Sequence, residues 1–168
     1  MNYNNYNLWA DRIRSNPLIM MVIRGANYLF TGLGFAMYPL LLWLILYRYP
    51  LQKLLVYIIL PGLAFFFISV YRRVRNYPRP YEVYPIKPLI AKEKRGRSFP
   101  SRHVFSIMLI GGLWLGINPA AGILVLVCGM GLAVIRVAGG VHFPGDVLWG
   151  AVLGILAAGI TCIVGLKI

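Results

Sequence analysis

From Ala26 to Tyr47 the chain carries no charged side chain, and the same holds from Leu54 to Tyr71. An apolar run of roughly 20 residues matches the hydrocarbon thickness of a bilayer when wound as a helix. Inside hydrocarbon every backbone N–H and C=O must be satisfied by the chain itself, which a helix does locally. Three further runs follow: His103 to Ile117, closed by Asn118-Pro119; Ala120 to Val137; and Asp146 to Leu166. The expected fold is therefore all-α, a polytopic transmembrane bundle of about five spanning helices. The third run is short and needs cover from its neighbours or a thin bilayer. Upstream, Leu8 to Gly25 reads as an N-terminal interfacial helix that merges into the first span, so residues 1–25 are assigned to it.

Charged residues make up only 12% of the chain. A soluble domain carries about 25%, so composition agrees with a lipid solvent. The 168 residues fit one domain, 1–168. The N-terminus is rich in Asn and Tyr and lacks the basic-then-apolar order of a cleavable signal. Cys128 and Cys162 lie in apolar runs and read as small core residues. Gly111, Gly112, Gly129 and Gly131 are expected at close helix contacts. Trp43, Tyr47 and Tyr49 are expected as interfacial anchors.

Two stretches are not membrane-like. Residues 72–102 form a basic loop with five prolines before Ser101 and two acids, Glu82 and Glu93. Residues 139–145 form a Gly/Pro turn. With five spans, the ends of spans two and four and the starts of spans three and five share one membrane face. The loop and the turn therefore meet there.

The sequence has 17 Lys and Arg against 4 Asp and Glu, a net charge of +13. Such a balance suits an anionic partner. Nucleic acid is excluded as that partner, because most of the chain must lie in the bilayer. Arg73, Arg75, Lys87, Lys92, Lys94, Arg95 and Arg97 read as a solvated face toward anionic headgroups.

The chain has two histidines, His103 and His142, and both fall on the shared face. Asp146 lies four residues after His142, and Arg136 six residues before it. Arg72, Arg79 and Arg102 border the large loop. Ionisable groups at membrane depth are costly and point to function. Phosphoryl transfer needs such a set. Fixed cations hold the non-bridging oxygens, and the planar fork of Arg suits them. A neutral imidazole can attack phosphorus. A carboxylate on its other nitrogen fixes the tautomer, and a second His can protonate the leaving oxygen. Ser101, after Pro100, is expected to N-cap the third span, whose first-turn N–H groups favour an anion.

These spacings resemble the type-2 phosphatidic acid phosphatase family, integral membrane lipid phosphatases related to vanadium haloperoxidases. Its K-x6-R-P block reads Arg72 and, after six residues, Arg79-Pro80. Its P-S-G-H block reads Pro100-Ser101-Arg102-His103, and its S-R-x5-H-x3-D block is matched by Arg136, His142 and Asp146. The resemblance implies that His142 is the nucleophile and forms a phosphohistidine, with Asp146 orienting it. It implies that His103 protonates the leaving group, and that Arg72, Arg79, Ser101 and Arg136 bind phosphate. No metal and no cofactor are implied. Three positions depart from the pattern. Arg72 replaces Lys, and Ile135 replaces the Ser before Arg136. Arg102 replaces Gly, so a side chain enters or borders the pocket, where a second phosphate would be within its reach; Arg102 is added to the phosphate-binding set.

The resemblance implies hydrolysis of a lipid phosphate or diphosphate, of the undecaprenyl diphosphate, phosphatidylglycerophosphate or phosphatidic acid type. A phosphotransferase passing the group to an acceptor shares the first half-reaction. A non-enzymatic lipid-binding or transport protein would explain buried charges, but not the arginines or Ser101. Oligomeric state is left open. The excess of Lys and Arg on the histidine face places it in the cytoplasm by the positive-inside rule. Resemblance to bacterial relatives places it outside the cytoplasm, and that is the side expected here.

Overall fold

A computed structural model of the chain describes residues 3–90 and 95–168. Lys92, Glu93 and Lys94 of the basic loop lie outside the described residues. The chain forms α1 (Tyr3–Arg14), α2 (Pro17–Arg48), α3 (Leu51–Arg75), α4 (Pro80–Val83), α5 (Arg102–Leu115), α6 (Pro119–Ala138) and α7 (Pro144–Leu166).

The fold is the expected all-α membrane bundle. Among the described residues four helices, α2, α3, α6 and α7, are long and apolar enough to cross a membrane. The expected third span, α5, has 14 residues. At 1.5 Å per residue it is about 21 Å long, short of the roughly 30 Å core. Its neighbours supply the cover. α5 packs most extensively against α7 and α6, and Val104, Phe105, Ile107, Leu109 and Leu113 are all buried. The other helices keep many large apolar side chains exposed, such as Phe35, Trp43 and Leu156. That inverted pattern is what a lipid solvent permits.

The expected single segment from Leu8 to Gly25 is broken. α1 ends at Arg14, and Asn16 caps a new helix. The Asn16 side-chain oxygen accepts from the N–H of Leu18 at 3.1 Å and of Ile19 at 3.2 Å. Pro17 takes the first helical position, where no N–H is needed. Residues 17–25 thus belong to the first long helix. The same Asn-Pro device starts α6: Asn118 accepts from Ala121 N–H at 3.1 Å, ahead of Pro119.

Pro61 lies inside α3 and cannot donate to the carbonyl of Tyr57. The hydroxyl of Tyr38 on α2 donates to that carbonyl at 2.9 Å. The repair joins α2 to α3. Small residues then bring α5 against α7. A β-carbon on Gly154 would lie 2.5 Å from the Phe105 carbonyl oxygen, and one on Gly150 would lie 2.7 Å from that of Ser101. Gly111 and Gly129 play the expected part between α5 and α6, against Leu126 and Met108.

Candidate active site

The ends of α3 and α6 and the starts of α5 and α7 converge with the loop at one end of the bundle. Backbone contacts fix the convergence: Ser101 N–H donates to the Asp146 carbonyl at 2.8 Å, and Leu89 N–H to that of Gly139 at 3.0 Å. The first bond ties the start of α5, which carries His103, to the start of α7, which follows His142.

His142 is 2% exposed and Asp146 is 4% exposed, so water does not screen the pair. The Nδ1 of His142 lies 3.2 Å from the Oδ2 of Asp146. That oxygen also accepts from the Phe143 N–H at 3.0 Å and from the hydroxyl of Ser98. Ser98 Oγ is in turn 3.4 Å from His142 Nδ1. A carboxylate accepting from Nδ1–H leaves Nε2 as the lone-pair nitrogen of the ring. Asp146 sits at the third position of α7, where a carboxylate also meets the first-turn N–H groups.

Ser98 was not anticipated from the sequence. A serine in a polar loop has no periodicity to mark it, and its partners lie 44 and 48 residues away.

Arg72 and Arg79 are both buried, and both bind the chain itself. Arg72 donates to the carbonyl of Ser98 at 3.0 Å and to those of Pro100 and Arg97. Arg79 donates from Nε to the Gly96 carbonyl and from Nη1 to that of Val141, both at 3.0 Å. The two residues therefore wrap residues 96–100 around the His142 turn. Glu82 helps: its carboxylate accepts from the backbone N–H of Arg79 and of Gly96, each at 2.8 Å.

Arg136 is 4% exposed, and its Nε has no hydrogen-bond partner among the described residues. Its carbonyl accepts from the N–H of Val141 and of His142, each at 3.2 Å, closing the turn between α6 and α7. Ser101 stands at the N-cap position of α5, as expected, yet its side chain makes no capping bond. Its hydroxyl is fully buried and unpartnered among the described residues. Two buried donors with nothing to donate to are uncommon in a folded protein.

His103 lies one residue beyond Arg102 in the first turn of α5 and is half-buried. Arg102 stands apart from the buried cluster. It is exposed, with its guanidinium carbon 5.3 Å from the centroid of the Phe65 ring on α3. Arg72 feels the charges of Arg79, Arg97 and Arg102 as well as that of Asp146, and Arg136 feels that of Arg79. These guanidinium groups thus act on one another, and an anion would relieve their mutual repulsion. Of the basic residues expected on a solvated face, Arg73, Arg75, Lys87, Arg95 and Arg97 are exposed.

The N-terminal helix braces this end. Tyr6 donates to the Ala138 carbonyl at 3.2 Å. Its hydroxyl would be 2.4 Å from a β-carbon on Gly140, which has a φ of +72°. Only glycine fits that turn, for backbone and for space.

Comparison with known proteins agrees with this architecture. The sequence profile of the PAP2 superfamily matches residues 50–167. The chain is 31% identical over 148 residues to the bacitracin transport permease protein BcrC of Bacillus licheniformis, covering 85% of this chain and 68% of that one. The crystal structure of Aquifex aeolicus LpxE superposes with a TM-score of 0.69 at 26% identity, covering 91% of this chain and 88% of the other. That of the first transmembrane PAP2 type phosphatidylglycerolphosphate phosphatase from Bacillus subtilis gives 0.68 at 24% identity, over 98% and 84%. The second likeness speaks to fold alone. The profile match takes in α3 to α7, the elements that carry His103, His142, Asp146 and the buried arginines, and on that match the chain belongs to the PAP2 superfamily as a multi-pass membrane phosphatase.

Proposed function

We propose that the chain hydrolyses a lipid phosphate or lipid diphosphate through a phosphohistidine on His142. The observation that carries this is the buried His142–Asp146–Ser98 unit together with donors of Arg136 and Ser101 that are unpartnered among the described residues. Asp146 holds the Nδ1 proton, so the Nε2 lone pair forms the bond to phosphorus. The bond from phosphorus to the lipid-side oxygen breaks, and His103 gives that oxygen its proton. Arg136, Ser101 and the first-turn N–H groups of α5 hold the non-bridging oxygens, with Arg72 and Arg79 supplying charge and fixing the loop. Water then attacks phosphorus, its proton passes to His103, and the electron pair of the N–P bond returns to Nε2. The route uses imidazole and guanidinium groups and asks for no metal. The reading includes an extracytoplasmic site in the cell membrane, which resemblance to bacterial relatives supports.

The test is phosphate release by the purified chain in detergent, with chelator present. Undecaprenyl diphosphate, phosphatidylglycerophosphate and phosphatidic acid are supplied in turn. At least one is expected to release phosphate, and His142→Ala to abolish release. An acid-labile phosphoenzyme is expected in wild type and not in His142→Ala. Phosphate loss only with an added acceptor alcohol would replace hydrolysis by phosphotransfer.

A further inference from the structure

A cavity of about 440 Å³ lies among α2, α3 and α5. Its walls are mainly apolar, with Phe30, Phe35, Tyr38, Phe65 and Ile107 among them. Two basic residues line it, Arg102 and His103. The volume falls in the range of small-ligand sites and suits the first part of a lipid tail.

Arg102 is placed for a task different from that of the buried arginines. Phe65, under its guanidinium, lies seven residues before Arg72 on α3. Seven residues are nearly two helical turns, so the two share a face of α3, and Phe65 is about 10 Å further along the axis into the bilayer. The cations therefore stand at two levels. Arg72, Arg79 and Arg136 are buried where His142 is held, while Arg102 reaches toward the apolar cavity. Among the described residues no carboxylate pairs with Arg102. A guanidinium held over an aromatic ring beside an apolar wall, with no carboxylate among the described residues paired to it, has donors to offer an anion.

We propose that Arg102 makes the site selective for a lipid diphosphate over a lipid monophosphate, by holding the phosphate that stays on the lipid. This rests on the phosphatase chemistry proposed above. The distal phosphate is transferred to His142. The bond between distal phosphorus and bridging oxygen breaks, and its electron pair stays with the bridging oxygen. The leaving group is the lipid monophosphate. Its charge grows on the tail side of His103, within the reach of a two-pronged donor on the preceding residue. From a lipid monophosphate substrate the phosphoryl group goes to His142 and the leaving group is the lipid alcohol, neutral once protonated, so no anion arises at that level.

The test uses two probes with one tail, farnesyl diphosphate and farnesyl monophosphate, and the full chain in detergent. The readout is the ratio of kcat/KM for diphosphate over monophosphate. Arg102→Gly, the residue of the resembled signature, is expected to lower that ratio ~10-fold or more, the range of one charge-assisted hydrogen bond. Arg102→Gln, which keeps the length and removes the charge, is expected to do the same if the glycine variant fails to fold. Arg102→Lys keeps a cation without the fork and is expected to recover part of the ratio. A ratio unchanged in both neutral variants overturns the proposal and leaves the phosphatase reading standing. No release from either probe or from the long-chain lipids by wild type overturns both.

Discussion

The hydroxyl of Ser98 donates to the same carboxylate oxygen of Asp146 that faces Nδ1 of His142. With the Phe143 N–H, three groups converge on one oxygen, and the imidazole plane follows from them. Ser98→Ala removes one of the three and leaves the others. A single net hydrogen bond is about 1 kcal/mol, so kcat is expected to fall ~5- to 10-fold at near-constant KM. Asp146→Asn removes the charge that holds the tautomer, and its loss is expected to be on the order of 100-fold or more. Steady-state phosphate release by both variants checks the order. Equal losses would mean that Ser98 and Asp146 act only as one unit.

Arg72 stands where the resembled signature has Lys, and here its guanidinium binds three loop carbonyls. An ammonium group donates from one point and cannot span them. Arg72→Lys is expected to keep the charge and loosen residues 97–100. Trypsin should then cut after the exposed Arg95 and Arg97 faster than in wild type, and kcat/KM should fall ~10-fold. Unchanged proteolysis with reduced activity would instead assign Arg72 to the phosphate directly.

The membrane helices and the site blocks were legible in the sequence for different reasons. Uncharged runs report the solvent, so α2, α3, α6 and α7 stand out without reference to partners. His103, His142 and Asp146 stand out because ionisable groups are rare in such a chain, and topology alone brings them to one face. The break at Asn16 leaves a mark too, since Asn before Pro is a helix start, although the segment from Leu8 to Gly25 reads as one helix. Contacts that bind loop to loop left no such mark. Ser98, and the carbonyls that Arg72 and Arg79 hold, depend on how residues 96–100 fold back, and no periodicity encodes that. Gly150 and Gly154 carry no mark of their own, because glycine is common in the apolar runs, and only the approach of α5 singles them out.

That approach yields a paired prediction. At Gly154 a β-carbon meets the backbone of α5, which cannot move aside without shifting His103. Overpacking of this kind costs about 1–3 kcal/mol. Gly154→Ala is expected to lower the unfolding midpoint in detergent and to reduce kcat as well. At Gly159, one and a half turns further along α7, nothing lies within 4 Å of the same atom. Gly159→Ala is expected to be neutral or slightly stabilising, by helix propensity. A neutral Gly154→Ala would mean that α5 is not pinned there.

The sidedness of the site sets two physical arguments against each other. Counting Lys and Arg puts the His142 end in the cytoplasm. Part of that count is bound up in the site itself, since Arg72, Arg79 and Arg136 are buried. The extracytoplasmic placement proposed here follows the resembled family. Single cysteines at the exposed positions Arg95, on the site end, and Gln52, on the opposite end, separate the two. Cys128 and Cys162 are first replaced by Ala, so that only the introduced thiol reacts. A membrane-impermeant maleimide added to whole cells is expected to label Arg95→Cys and spare Gln52→Cys until the cells are lysed. The reverse pattern would put the site in the cytoplasm. The positive-inside count would then hold even where guanidinium groups serve the substrate, and the lipid phosphate would have to be presented on the inner leaflet.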